Sequence, residues 1–216
     1  MYATCKKNKN LALFDFDGTL CTKDSFTGFI FYALSKRHIV KRGIKILPWI
    51  QAYYLKAYPA HAMRSKLFCA MFSDADTLSL QQIAEEYASS LISQLNDPLL
   101  KQLKRHQALG DDVVLVSASI DIYLQHVCRL LNIDLICTET EKINNLYTGQ
   151  YITPDCSSEQ KRIRILEKYQ LDHYEAIYAY GNSVEDQEML SLADYPYMIG
   201  MNKRIPPLPS NIQMAI

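Results

Sequence analysis

Short apolar runs alternate with stretches of helical spacing along this chain. Leu11–Phe16 is a continuous apolar run broken only by Asp15, and it reads as a buried strand. Val113–Val116 is a second such run, entered by Gly110-Asp111-Asp112 and left by Ser117-Ala118-Ser119. Leu135–Cys137, Ala176–Tyr180 and Tyr197–Ile199 give a third, fourth and fifth. Between them, Ile120–Leu131, Ser157–Tyr169 and Val184–Leu192 repeat apolar residues at the helical period. Strand and helix in alternation predict an α/β fold, a parallel sheet with helices on both faces. Ligands of such sheets bind beyond the carboxyl ends of the strands.

One long stretch breaks the alternation. From Ser25 to about Asn96 the spacing predicts four helices, Phe26–Ser35, Ile39–Lys56, Ala62–Phe72 and Leu78–Leu95, and no strand. The chain therefore divides into a core of residues 1–21 and 97–216 and an all-helical cap, 22–96, inserted after the first strand. Lys142–Tyr151 carries Asn-Asn and Thr-Gly turn signals and predicts a small hairpin.

Composition narrows the picture. At 216 residues the chain is one domain, or one domain with an insertion. Lysine plus arginine and aspartate plus glutamate both number 23, and this zero net charge argues against a general nucleic-acid binder. The six cysteines, Cys5, Cys21, Cys69, Cys128, Cys137 and Cys156, contain no C-x-x-C pair and suit free thiols in a cytoplasmic chain. The basic start is followed by too short an apolar run for a signal peptide. Ile44–Leu55, the longest apolar stretch, is interrupted by Lys45, Pro48 and Gln51 and is too short to span a bilayer. The proline-rich Ile205–Ser210 suits neither helix nor central strand.

The first strand ends in Asp15-Phe16-Asp17-Gly18, which places two carboxylates on one face at its mouth. Such neighbours repel unless a cation lies between them, and a hard cation such as Mg2+ takes oxygen ligands of this kind. An Asp-Gly turn accounts for Asp17 and Gly18 and leaves Asp15 unexplained. The second strand ends in Ser117, whose hydroxyl, with the backbone of Ala118 and Ser119, suits an anion site at a helix N-terminus; capping by Ser119 or Asp121 is the plainer alternative. Lys161 stands at the start of a helix, where the dipole disfavours a cation. Phosphate binding accounts for it there, and so does a solvated lysine among Arg162, Arg164 and Lys168. The fourth strand ends in Gly181-Asn182-Ser183-Val184-Glu185-Asp186, a polar loop able to complete a metal site or simply to start a helix. Four such features, in order and facing one sheet edge, are improbable as separate accidents.

In that order they resemble the motifs of the haloacid dehalogenase (HAD) superfamily. DFDGTL at Asp15–Leu20 matches the first motif, VLVSAS at Val114–Ser119 the second, Lys161 the third and GNSVED at Gly181–Asp186 the fourth. The resemblance implies a Rossmann-like sheet with a C1-type helical cap, similar to the phosphoserine-phosphatase-like branch, subfamily IB. It implies a Mg2+-dependent phosphatase acting on a small phosphorylated metabolite. Asp15 is then the nucleophile that forms an aspartyl-phosphate, and Asp17 the general acid and base. Ser117, Ala118 and Lys161 hold the phosphoryl oxygens, while Asp15, the Asp17 carbonyl, Asn182 and Asp186 hold the metal. Relatives often carry aspartate where this chain has Asn182, which implies weaker Mg2+ binding and leaves room for a non-catalytic phospholigand-binding protein.

The cap adds one asymmetry. Between Asp24 and Asp74 there is no acidic residue, but there are eight cations: Lys36, Arg37, Lys41, Arg42, Lys45, Lys56, Arg64 and Lys66. Trp49, Tyr53, Tyr54 and Tyr58 lie among them. This pattern suits a solvated amphipathic cap helix first, and after it an anionic membrane surface. The second reading is a phosphatidylglycerophosphate-type lipid phosphatase, cytoplasmic but peripheral to the membrane. Arg64 is the cap residue expected to reach the non-phosphate end of the substrate.

Overall fold

The computed structural model describes residues 9–209. The basic start with Cys5, and Ser210 at the end of the proline-rich tail, lie outside the described residues. Five strands form one parallel sheet in the order β3-β2-β1-β6-β7: β1 (Leu11–Phe14), β2 (Asp112–Ile120), β3 (Asp134–Thr138), β6 (Ile177–Gly181) and β7 (Tyr195–Met198). β1 is central, with Phe14 in register with Leu115 of β2 and Tyr180 of β6. Its alternation is two-sided. Leu11 and Leu13 join Val114, Val116, Ile136 and Ile165 in one core, while Ala12 and Phe14 join the larger core beneath the helical insertion. A strand buried on both faces needs an apolar run rather than an alternating one, which is what Leu11–Phe14 supplies.

The insertion comprises α1 (Ser25–Ala33), α2 (Lys36–Tyr54), α3 (Ala60–Phe72) and α4 (Thr77–Ile92). All four expected helices form, with ends shifted by up to three residues. Asp24, Ser35 and Asp76 cap α1, α2 and α4 by accepting from backbone N–H groups three residues on. Pro48 sits inside α2 without ending it; Ile44, whose carbonyl loses its helical donor to the proline, is exposed to water. The hairpin β4 (Thr140–Ile143) and β5 (Leu146–Tyr151) docks on the insertion, because Tyr147 exchanges backbone hydrogen bonds with Asp74 and Ala75 at 2.8 and 3.0 Å.

Three elements differ from the sequence reading. α5 (Asp97–Leu109) occupies a stretch left unassigned, although Asn96 caps it and Gly110 ends it in the left-handed region. β2 continues past Ser117 to Ile120, so the following helix, α6 (Asp121–Leu131), starts later than expected. The last expected helix is instead a 3-10 turn, Val184–Asp186, followed by the short α8 (Gln187–Leu190). The remaining helix, α7 (Glu159–Lys168), precedes β6. The five described cysteines are free thiols. No helix among the described residues is long and apolar enough to cross a membrane.

A buried polar network fastens α5 to the sheet. Asp111 accepts from the backbone and side chain of Asn10, both at 3.0 Å, and pairs with His106 Nδ1 at 2.7 Å. His106 Nε2 meets the Tyr180 hydroxyl at 2.9 Å. Burial pushes the Asp111 carboxyl up, but the bonds from His106 and Asn10 outweigh it and hold the group below its ordinary value. A folded-state value below the unfolded one contributes stability above the unfolded pKa of about 3.9, lost as pH falls through the folded value. Asp111→Ala is therefore expected to cost about 2–4 kcal/mol at neutral pH. Urea melts of both proteins check this, and the gap is expected to shrink below about pH 4.

Candidate active site

The sheet order reverses between β1 and β6, and the loops after these strands meet there, as switch points in open α/β sheets provide. Asp15 follows β1 directly, its N–H held by the Tyr180 carbonyl of β6 at 2.9 Å. Its side chain is buried, with both oxygens engaged. Oδ1 accepts from Lys161 Nζ at 2.6 Å, and Oδ2 from Thr19 Oγ1 at 2.7 Å. Burial raises the Asp15 carboxyl to about 6, Lys161 pulls it down and Asp186 pushes it up.

Lys161 is among the most buried side chains of the protein. It comes from the first turn of α7 rather than from a strand end, and it bridges Asp15 and Asp186 at 2.6 Å each. Burial alone lowers an ammonium pKa, but the two carboxylates outweigh it and hold Lys161 charged. The solvated-lysine alternative is thereby excluded. The cation that relieves carboxylate repulsion here is Lys161, and it joins Asp15 to Asp186 rather than to Asp17.

Asp17 is satisfied differently. Its Oδ1 accepts from the Ser25 backbone N–H and its Oδ2 from the Ser119 hydroxyl, both at 2.6 Å. Ser25 opens α1 and Ser119 lies late in β2, so Asp17 ties the insertion to the sheet. The Ser25 hydroxyl in turn meets the Tyr123 hydroxyl at 2.8 Å, and Tyr87 donates to the Ser25 carbonyl at 2.8 Å. Burial raises the Asp17 carboxyl, and the bonds from Ser119 and Ser25 lower it only in part. Ser119 thus does not cap α6; that helix has no side-chain cap. Ser25 and Thr19 were not singled out from the sequence, and nothing local distinguishes Ser25 from other helix-opening serines.

Ser117 is buried in β2, its Oγ accepting from Ser119 N at 3.1 Å, and with Ala118 it lines the cavity above Asp15. Asp186 holds its own loop together, accepting at Oδ2 from Asn182 N, Ser183 N and Ser183 Oγ at 2.9–3.1 Å. Burial would raise this carboxyl, but Lys161 and these donors hold it below its ordinary value. Asn182 lies against the Asp-Gly turn. A Cβ on Gly18, whose φ is +77°, would stand 2.0 Å from Asn182 Nδ2. Gly18→Ala is expected to strain the turn and push Asn182 aside, costing about 1–2 kcal/mol and at least tenfold in hydrolysis. Melts and initial rates on the same preparation check both.

Arg64 does not reach into the cavity as a free cation. It makes a two-pronged pair with Asp155 at 2.7 and 2.8 Å, and a second with Glu185 at 3.2 Å. Burial works against its charge, but Asp155 and Glu185 hold it firmly protonated. It clasps α3 to the loops before α7 and after β6.

Among the described residues, no three His, Cys, Asp or Glu side chains gather as a metal cluster. Of the four residues expected to hold a metal, Asp15 and Asp186 share Lys161, Asn182 lines the same cavity, and the Asp17 carbonyl receives no hydrogen bond from the described residues. Two buried carboxylates, Asp15 and Asp186, share one ammonium here, and with the half-buried Asp17 beside them the floor is short of positive charge. A hard divalent cation on oxygen donors fits that deficit. The cavity over this floor has a volume of about 760 Å³, within the range of small-molecule sites.

The model of the haloacid dehalogenase-like hydrolases matches residues 12–191, and the chain belongs to that family. Protein CicA of Caulobacter vibrioides is 29% identical over 194 residues, 85% of this chain and 83% of its own. The histidinol-phosphatase of Neisseria meningitidis is 26% identical over 206 residues, covering 88% and 90%. A protein of unknown function from Bordetella pertussis shares the fold at a TM-score of 0.72, with 24% identity over 86% of this chain and 87% of that one. A substrate-bound phosphoserine phosphatase shares it at 0.62, with 16% identity over 87% and 84%. The superfamily and fold class expected from the motifs are borne out, and the phosphatase class agrees with the neighbours that carry that name.

Proposed function

We propose that this hydrolase is a phosphatase that cleaves a small phosphomonoester through an aspartyl-phosphate on Asp15. The observation that carries the reading is the Asp15–Lys161–Asp186 bridge on the cavity floor, which keeps a buried carboxylate ionised where a phosphoryl group can meet it. An oxygen of Asp15 attacks phosphorus, and the ester P–O bond breaks. Asp17, whose raised pKa favours holding a proton, delivers it to the departing alkoxide. Asp17 then takes a proton from water, which attacks phosphorus and releases phosphate and free Asp15. Ser117, Ala118 and Lys161 steady the phosphoryl oxygens. Mg2+ would be held by Asp15, the Asp17 carbonyl, Asn182 and Asp186, and would supply charge neutralisation between phosphate and carboxylates. Residues 22–96 serve as the cap over this floor.

The test is hydrolysis of p-nitrophenyl phosphate with Mg2+ and after chelation. Turnover is expected with Mg2+ and lost without it, and Asn182→Asp is expected to lower the Mg2+ needed for half-maximal rate severalfold. Hydrolysis that survives chelation defeats the metal assignment. A protein that hydrolyses no phosphomonoester is the phospholigand-binding protein of the alternative reading.

One observation favours a second reading, docking on anionic membranes. Along α2 and at its C-cap, Val40, Ile44, Leu47, Tyr54 and Leu55 are exposed beside Lys36, Arg37 and Lys41, in a stretch without acidic residues. Co-sedimentation with phosphatidylglycerol vesicles at low salt tests it, and a protein left in the supernatant refutes it.

A further inference from the structure

We infer that the substrate's leaving group is an apolar chain or ring without charge, of about hexyl size or longer. The inference rests on the phosphatase reading and adds what lies beyond the phosphate. Above the polar floor the cavity wall is built by α1, α2 and α3 from Phe26, Ile30, Ile39, Ile50, Met63 and Met71. The charged residues that line this upper part are accounted for. Arg64 and Glu185 pair with each other, and Asp155 takes the rest of the guanidinium. Asp24 caps α1 and, like Lys23, is exposed to solvent at the rim.

A substrate with a carboxylate or ammonium near its ester would bury that charge against the hydrocarbon wall, where Arg64 and Glu185 are already paired and only Lys23 and Asp24, exposed at the rim, are open to it. An alkyl or aromatic group gains instead from every methylene it removes from water. The apolar lining also continues outward. Phe31 and Tyr54 line the mouth and are 65% and 79% exposed, so a longer chain can leave the cavity along an apolar path. An exposed phenylalanine and tyrosine at the lip of an apolar cavity are what such a chain would cover. In this reading Arg64, expected from the sequence to reach the non-phosphate end of the substrate, serves as a clasp between α3 and the core loops.

A series of n-alkyl phosphates, ethyl to octyl, tested with Mg2+ beside O-phosphoserine, decides the matter. kcat/KM is expected to rise about two- to fourfold per methylene up to hexyl. O-phosphoserine is expected at least tenfold below hexyl phosphate. The double variant Phe31→Ser/Tyr54→Ser, both positions exposed and safe for folding, is expected to lower kcat/KM for octyl phosphate more than for ethyl phosphate. Turnover that is flat along the series, or O-phosphoserine matching hexyl phosphate, overturns this inference and leaves the phosphatase reading standing. No turnover of any member, or of p-nitrophenyl phosphate, overturns both.

Discussion

Asp15→Asn is expected to lower hydrolysis of p-nitrophenyl phosphate at least about a thousandfold while leaving the protein folded. The two halves of this expectation have separate causes. An amide oxygen is a poor nucleophile toward phosphorus, so the proposed covalent step would have no substitute on the cavity floor. The fold tolerates the change because burial already opposes the Asp15 charge, raising its carboxyl to about 6. Asparagine keeps an oxygen for Lys161, and the Thr19 hydroxyl can turn to accept from the new amide. Lys161 also retains Asp186. Urea melts are expected to move by no more than about 1 kcal/mol. A variant that keeps the wild-type rate would remove Asp15 from the mechanism. Asp17→Asn is expected to lose less on p-nitrophenyl phosphate than on an alkyl phosphate, because p-nitrophenoxide departs without a proton and an alkoxide does not.

The parts of this site that were legible in the sequence are those made by neighbours in the chain. Asp15, Asp17 and Gly18 lie within four residues, in the tight turn that directly follows β1 at Phe14. Gly181–Asp186 is likewise local, with Asp186 binding the backbone of its own loop. Lys161 was visible only as a cation where the helix dipole disfavours one. Its burial depends on Asp15, 146 residues away, and on Asp186, 25 residues away. Ser119 was legible as a helix cap because its neighbours allow capping; its bond to Asp17 comes from 102 residues away and wins because a buried carboxylate is the stronger acceptor. Arg64 stands in an acid-free stretch, and its two carboxylate partners lie 91 and 121 residues downstream. The helical insertion is legible from periodicity, whereas the same periodicity does not single out α5 despite its Asn96-Asp97-Pro98 start and Gly110 stop.

Lys161→Met is expected to be the most damaging single change to stability in the site. Lys161 contributes the one ammonium shared by two buried carboxylates, and the methionine chain fills similar space without charge. Asp15 and Asp186 would then face each other in low dielectric with nothing between them, and one must take up a proton. Removing one partner of a buried ion pair costs about 3–5 kcal/mol. For a chain of this length that corresponds to a fall of roughly 10 °C in Tm. A second substitution separates charge from packing. Lys161→Met/Asp186→Asn removes the repulsion while preserving shape, and is expected to recover most of the lost stability. It is not expected to recover hydrolysis, because the cation proposed to steady the phosphoryl oxygens is still missing. If the double variant melts as low as Lys161→Met, the loss belongs to packing around the lysine stem and not to the bridge. If it also turns over p-nitrophenyl phosphate at the wild-type rate, Lys161 holds the fold and has no part in the chemistry.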